Sequence, residues 1–253
     1  MAIGTVEVTA KKVKRRKITL KTVKIVGLIL FLFLLILFVI LRIIYNGGRF
    51  TITLDPNFAL KTGLIIYEDK EEKRSQRRLF AKELEFMDNV DDKWVFKTLK
   101  DDKHFEKDGA HNGESIMAYT FYIENTGERT IDYWYEIDID DVTRHVDEAI
   151  RIVIYRNGQE KVYAKINGDT KTPEKRTEDS NVLTTPFYSD KIAVLEQRAK
   201  MPPNAVDKFM IVVYLSGPDP DCLDPLIGGE IKMHMDIIES HIEGVDENAT
   251  KEG

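Results

Sequence analysis

The chain of 253 residues contains one cysteine, Cys222, so no disulfide can close within it and its fold must be held by core burial. Free cysteine is among the most buried residue types, so Cys222 is expected to be buried and inert, or else to pair with another chain. The five histidines (His104, His111, His145, His234 and His241) never stand as His-x-x-x-His, and without a second cysteine there is no local ligand pair for structural zinc. Gly-x-Ser-x-Gly, a Gly-rich phosphate loop and a dinucleotide fingerprint are all missing, so local motifs support neither serine hydrolysis nor nucleotide binding. No repeat occurs at solenoid or propeller periods.

Charge is unevenly placed. Residues 1–24 carry eight Lys and Arg (Lys11, Lys12, Lys14, Arg15, Arg16, Lys17, Lys21 and Lys24) against Glu7, a net +7. The whole chain is −6, which leaves −13 on the rest. An acidic remainder argues against a nucleic-acid partner. The basic segment ends where an apolar run begins, which is the positive-inside signal with attraction to anionic lipid headgroups.

That run, IVGLILFLFLLILFVIL over residues 25–41, has no polar side chain, and Ile43, Ile44 and Tyr45 extend it. At ~1.5 Å per residue, a helix over residues 25–45 spans ~30 Å, the thickness of a bilayer's hydrocarbon core. Lys21 and Lys24 flank its inner end, Arg42 can snorkel at the outer end, and Tyr45 sits where aromatic belts form. The flank after Arg42 lacks small residues at an A-x-A-like site, so the segment reads as a retained signal anchor. This divides the chain into a basic cytoplasmic tail (1–24), a transmembrane anchor (25–45), an extracytoplasmic domain (46–240) and an acidic tail (241–253). The location implied is a plasma membrane crossed once, with the N-terminus cytoplasmic. An outside-facing domain without disulfides is common in Gram-positive surface proteins.

Beyond the anchor the pattern is of strands. Phe50, Ile52 and Leu54 alternate with polar residues, and residues 63–67 form a second apolar run. A charged insertion follows at about 69–111; Leu79, Phe80, Glu83, Leu84 and Met87 fall near helical spacing and predict a short helix or an ordered insertion there. In residues 117–123 and 131–139 the odd positions are apolar, which predicts two neighbouring antiparallel strands joined by the turn at Asn125-Thr126-Gly127. Arg156-Asn157-Gly158 between residues 151–155 and 161–164 predicts a type I′ hairpin. Residues 209–215 are apolar on both faces and suit a central strand, and residues 230–237 alternate strictly. Some seven strands with turns between them predict a mainly β fold, an antiparallel two-sheet sandwich.

Three candidate sites stand out. Asp219, Asp221 and Asp224 lie in a Pro-rich loop, where they either coordinate calcium or cap the backbone of a stiff turn; the spacing is not that of an EF-hand. Trp134 shares the polar face of its strand with Asp132 and Glu136, as a sugar- or peptide-stacking surface would require, or else lies under a neighbouring loop. Asp138, Asp140 and Asp141 form an acidic cluster before residues 142–150, where Val142, Val146, Ala149 and Ile150 fit a helical turn that Asp140 or Asp141 would cap.

The run Phe121-Tyr-Ile-Glu-Asn-Thr-Gly127, the hairpin at Arg156-Asn157-Gly158, the loop Tyr214-Leu-Ser-Gly-Pro-Asp-Pro-Asp-Cys222 and the strand Ile227-Gly-Gly-Glu-Ile-Lys-Met233 resemble Gram-positive surface proteins of the camelysin and biofilm matrix-fibre group. The resemblance covers about residues 113–238. It implies a jelly-roll-like sandwich and, in some members, fibres formed by passing a strand to a neighbour. No motif here matches the metallopeptidase label given to camelysins, and the group's removable signal peptide differs from the anchor expected here.

Together these features indicate a membrane-anchored surface module that engages the lipid bilayer and a protein partner, without catalysis. Two other readings are an envelope hydrolase or metallopeptidase with a dispersed site, and a fibre subunit that exchanges a strand such as residues 50–54.

Overall fold

The structure is a computed structural model that describes residues 22–39, 50–84 and 86–240. Two units are distinct, residues 1–47 and residues 48–253. In the first, helix α1 (Thr22–Val39) is 18 residues long with a mean hydropathy of 2.9, and none of its side chains is buried. It is long and apolar enough to cross a membrane. Lys24 lies exposed in its first turn. Lys21, Arg42 and Tyr45, the rest of the basic tail and the acidic tail after residue 240 lie outside the described residues.

The second unit is the expected mainly β sandwich. A five-stranded sheet runs in the order β11 (Ile192–Met201), β7 (Ile131–Val142), β13 (Ile231–Ile238), β1 (Thr51–Leu54), β3 (Arg78–Phe80). The other sheet, of eight strands, has the path β10 (Thr185–Pro186), β9 (Gln159–Ala164), β8 (Ile150–Arg156), β12 (Val206–Ser216), β6 (Met117–Asn125), β2 (Leu64–Tyr67). Beside that path β4 (Asn89–Val90) pairs with β12 and β5 (Gly109–Ala110) with β6. Both sheets are mixed: β1–β13, β10–β9 and β12–β4 are parallel pairs within an otherwise antiparallel arrangement.

The main core lies between the sheets. Period-two alternation sends Met117, Tyr119, Phe121 and Ile123 of β6, and Tyr133, Tyr135 and Ile137 of β7, into it. These two strands do not pair as the sequence suggests. They belong to different sheets and face each other across the core: β6 lies between β12 and β2, and β7 between β11 and β13. The Asn157-Gly158 hairpin between β8 and β9 is as predicted, with both turn residues at positive φ (52° and 80°).

Strand β12 is central, and its two apolar faces serve two cores. Phe209, Ile211 and Val213 enter the main core, whereas Met210, Val212 and Tyr214 point to a second, smaller one. Two helices flank the sandwich strands, α2 (Pro56–Thr62) and α3 (Asp92–Asp101). Asp91 caps α3 by accepting from the Trp94 amide at 3.1 Å, and Val95, Phe96 and Leu99 form the buried stripe that closes the second core. The helix predicted near residues 79–87 is not there. Leu79 is instead fully buried in β3 opposite Ile52, with Arg78 and Phe80 exposed on either side, so the period is two rather than 3.6. The helical turn predicted after Asp141 shrinks to a 3-10 turn, Val146–Glu148, because β7 continues as far as Val142.

Candidate functional site

The face of the five-stranded sheet turned away from the core is where the carboxylates gather. On β7 the residues alternating with the buried tyrosines are Asp132, Trp134, Glu136 and Asp138, half-buried or exposed. On β13 the corresponding residues are His234 and Asp236. Strand register sets His234 opposite Asp138, Asp236 opposite Glu136, and Ile238 opposite Trp134. Trp134 is half-buried between Gln197 of β11 and Ile238 of β13, while α3 packs on the other sheet. Asp132 lies exposed at the start of β7, where its carboxylate accepts from the Lys200 amide at 2.6 Å. The three residues expected to form a binding surface therefore do share one sheet face.

Between Ile139 and Asp141 the β7–β13 ladder slips by one residue, so Asp140 is the extra residue of a bulge and does not cap a helix. Its carboxylate reaches the Nδ1 of His234, at 2.9 Å from Oδ1 and 3.0 Å from Oδ2. The other ring nitrogen, Nε2, faces Asp138 Oδ2 at 3.6 Å and Asp236 Oδ2 at 3.7 Å. Burial, then the Glu136 charge, lift the Asp138 carboxyl to about 6. Asp236 is raised by burial as well. Burial alone would lower His234, but the Asp140 hydrogen bond and the charges of Asp140, Asp236 and Asp138 outweigh it and raise the imidazole.

A second cluster forms around the Pro-rich loop. Asp219 and Asp221 come together with Glu174, their carboxylate oxygens lying within 4.8 Å of one another. Asp224 is excluded from this group: it lies exposed at the start of a 3-10 turn, Asp224–Leu226. Both loop aspartates serve the backbone, Asp219 accepting from the Asp221 amide at 2.8 Å and Asp221 from the Gly168 amide at 2.9 Å. Arg151 of β8, itself buried, pairs with Asp219 at 2.5 Å. Burial raises Glu174 and also Asp92. The cluster thus already contains its own cation. A visible signal for this was Arg151 itself, a charge set among the apolar residues of β8.

Two histidines far from any ligand spacing also meet. His104 Nδ1 lies 2.9 Å from His111 Nδ1, and His111 Nε2 lies 2.8 Å from Thr120 Oγ1. Burial lowers His104, and burial with the His104 charge lowers His111 to about 4. Cys222 is half-buried rather than buried, its Sγ 3.6 Å from the Asn89 side-chain amide.

No family model matches the chain, and no curated protein matches it. Two solved structures of β-glucosidase from Kluyveromyces marxianus, one of them in complex with glucose, are distant partial matches. They are 10% and 11% identical, with TM-scores of 0.23 and 0.26 over 51% and 71% of this chain. The chain spans only 12% and 16% of those proteins.

Proposed function

We propose that this chain is a membrane-anchored, non-catalytic interaction module at the surface of a Gram-positive-type cell, and that it binds its partner through the outer face of the five-stranded sheet. The observation that carries this reading is the grouping of Trp134 with Asp132, Glu136, Asp138 and Asp236 on one face. An aromatic ring supplies apolar contact area, and surrounding carboxylates select for a partner of positive charge. Helix α1 supplies the tether, and the basic residues before it favour a cytoplasmic N-terminus with the sandwich outside. The resemblance to the camelysin and matrix-fibre group supports a surface role on the same side. Strand β1 is hydrogen-bonded on both edges, to β13 and β3, which favours a tethered module over one that donates this strand.

The test is to express the full chain with a C-terminal tag in a Gram-positive host, treat intact cells with protease, and fractionate them. The tag should be membrane-bound before treatment and lost on treatment. A tag protected in intact cells, or shed into the medium before any protease is added, overturns the reading.

A further inference from the structure

We infer that Asp138, His234 and Asp236 form a binding site for one divalent metal ion of the zinc type. The first argument is donor chemistry. An imidazole nitrogen and two carboxylate oxygens from adjacent strands lie within 4.8 Å of one another. Imidazole with carboxylate suits zinc and its neighbours, whereas calcium and magnesium take oxygen donors.

The second argument is the orientation of the histidine. Asp140 holds Nδ1, which makes that nitrogen the proton-bearing one and turns the Nε2 lone pair toward the two other carboxylates. A carboxylate behind a ligating histidine is the outer partner that metal sites use to fix tautomer and ring angle. Here a β-bulge supplies it: the extra residue in β7 brings Asp140 to His234.

The third argument is spacing. Nε2 stands 3.6 and 3.7 Å from the oxygens of Asp138 and Asp236, too far for good hydrogen bonds. Donors bound at ~2.0–2.2 Å around a zinc ion are themselves roughly 3–3.5 Å apart. Contraction by a few tenths of an ångström brings the imidazole nitrogen to that spacing from each of the two carboxylates. Charge agrees, because Glu136 and Asp140 add to the negative charge of the two ligand carboxylates on the same pair of strands.

The site lies on the outer face of the sheet, so its remaining coordination positions are open to water or to a donor from the bound partner. That last role rests on the function proposed above; the ion site itself does not.

The test uses the full chain in detergent micelles, stripped with EDTA and dialysed, then titrated with Zn²⁺ by calorimetry. Wild type should bind one ion saturably. His234→Gln should abolish binding, and Asp140→Asn should weaken it about 10–100-fold. Asp221→Asn, in the other carboxylate cluster, should leave it unchanged. Circular dichroism checks the fold of each variant, and Asp236→Asn carries the same test if His234→Gln unfolds. Absence of saturable binding, or binding unaffected by His234→Gln and Asp236→Asn, overturns the site. Titration in micelles does not depend on membrane orientation, so this inference and the surface reading fail separately.

Discussion

Arg151 and Asp219 are joined by a buried ion pair, 2.5 Å between Nη1 and Oδ2, with both side chains almost wholly withdrawn from solvent. The pair ties the outer face of β8 to the loop that follows β12. Removing one partner leaves the other charge buried and unanswered, a larger effect than the net worth of the pair. Arg151→Ala should therefore destabilise the sandwich by about 3–5 kcal/mol, measured by urea denaturation followed through tryptophan fluorescence. A loss below 1 kcal/mol would mean that Asp219 finds water or protonates instead.

The two sheets are also joined by a hydrogen bond. Tyr133 of β7 donates to Asp207 of β12 at 2.8 Å, and Asp207 further accepts from Asn157 at 2.7 Å and Arg198 at 3.0 Å. Tyr133→Phe keeps the ring and removes only the hydroxyl. The expected cost is about 1.5–3 kcal/mol, the range for hydrogen bonds to charged groups, read from the same denaturation curves.

Gly127 passes close to the end of α2. A Cβ built on it would lie 2.0 Å from the Thr62 carbonyl oxygen, a backbone atom that cannot move aside like a flexible side chain. Gly127→Ala should cost about 3 kcal/mol, whereas Gly158→Ala, which meets nothing within 4 Å, should cost only about 1 kcal/mol from its positive φ. Thermal melts of the two variants side by side check the difference.

His104 and His111 make the domain acid-sensitive. A histidine whose folded pKa is lowered contributes stability that is present above its unfolded value of about 6.5 and lost as pH falls through the folded value. For His111 that window runs from 6.5 to about 4, and His104 shifts in the same direction. Allowing for solvent screening of a partly exposed ring, His111 should account for about 1–2 kcal/mol across it. His111→Gln should flatten the fall in stability between pH 6.5 and 4, measured by denaturation at each pH.

Much of the fold was legible because strand signals are local. The Asn157-Gly158 hairpin, the two-faced strand β12 and the strict alternation of β13 each follow from residue order, and the structure has all three. Pairing was less legible. Whether the residues of β6 and β7 share a sheet depends on partners distant in sequence, so two adjacent alternating segments were assigned to one sheet when the core separates them. The segment at residues 79–87 failed similarly, since short apolar runs fit either period until a neighbour such as β1 takes them up.

For the candidate site, the sequence placed Trp134, Asp132 and Glu136 on one face, which a period of two is enough to determine. It did not bring in His234 and Asp236, which lie about a hundred residues further on and arrive through strand register. Nor did it assign Asp140 to His234, because a bulge is a property of two paired strands rather than of one. The sequence by itself determined the apolar helix, the charge asymmetry and the alternation of each strand, all of which depend on near neighbours along the chain. The tertiary structure alone decided which alternating faces meet, and hence that Arg151 answers Asp219 and that one histidine stands among three aspartates.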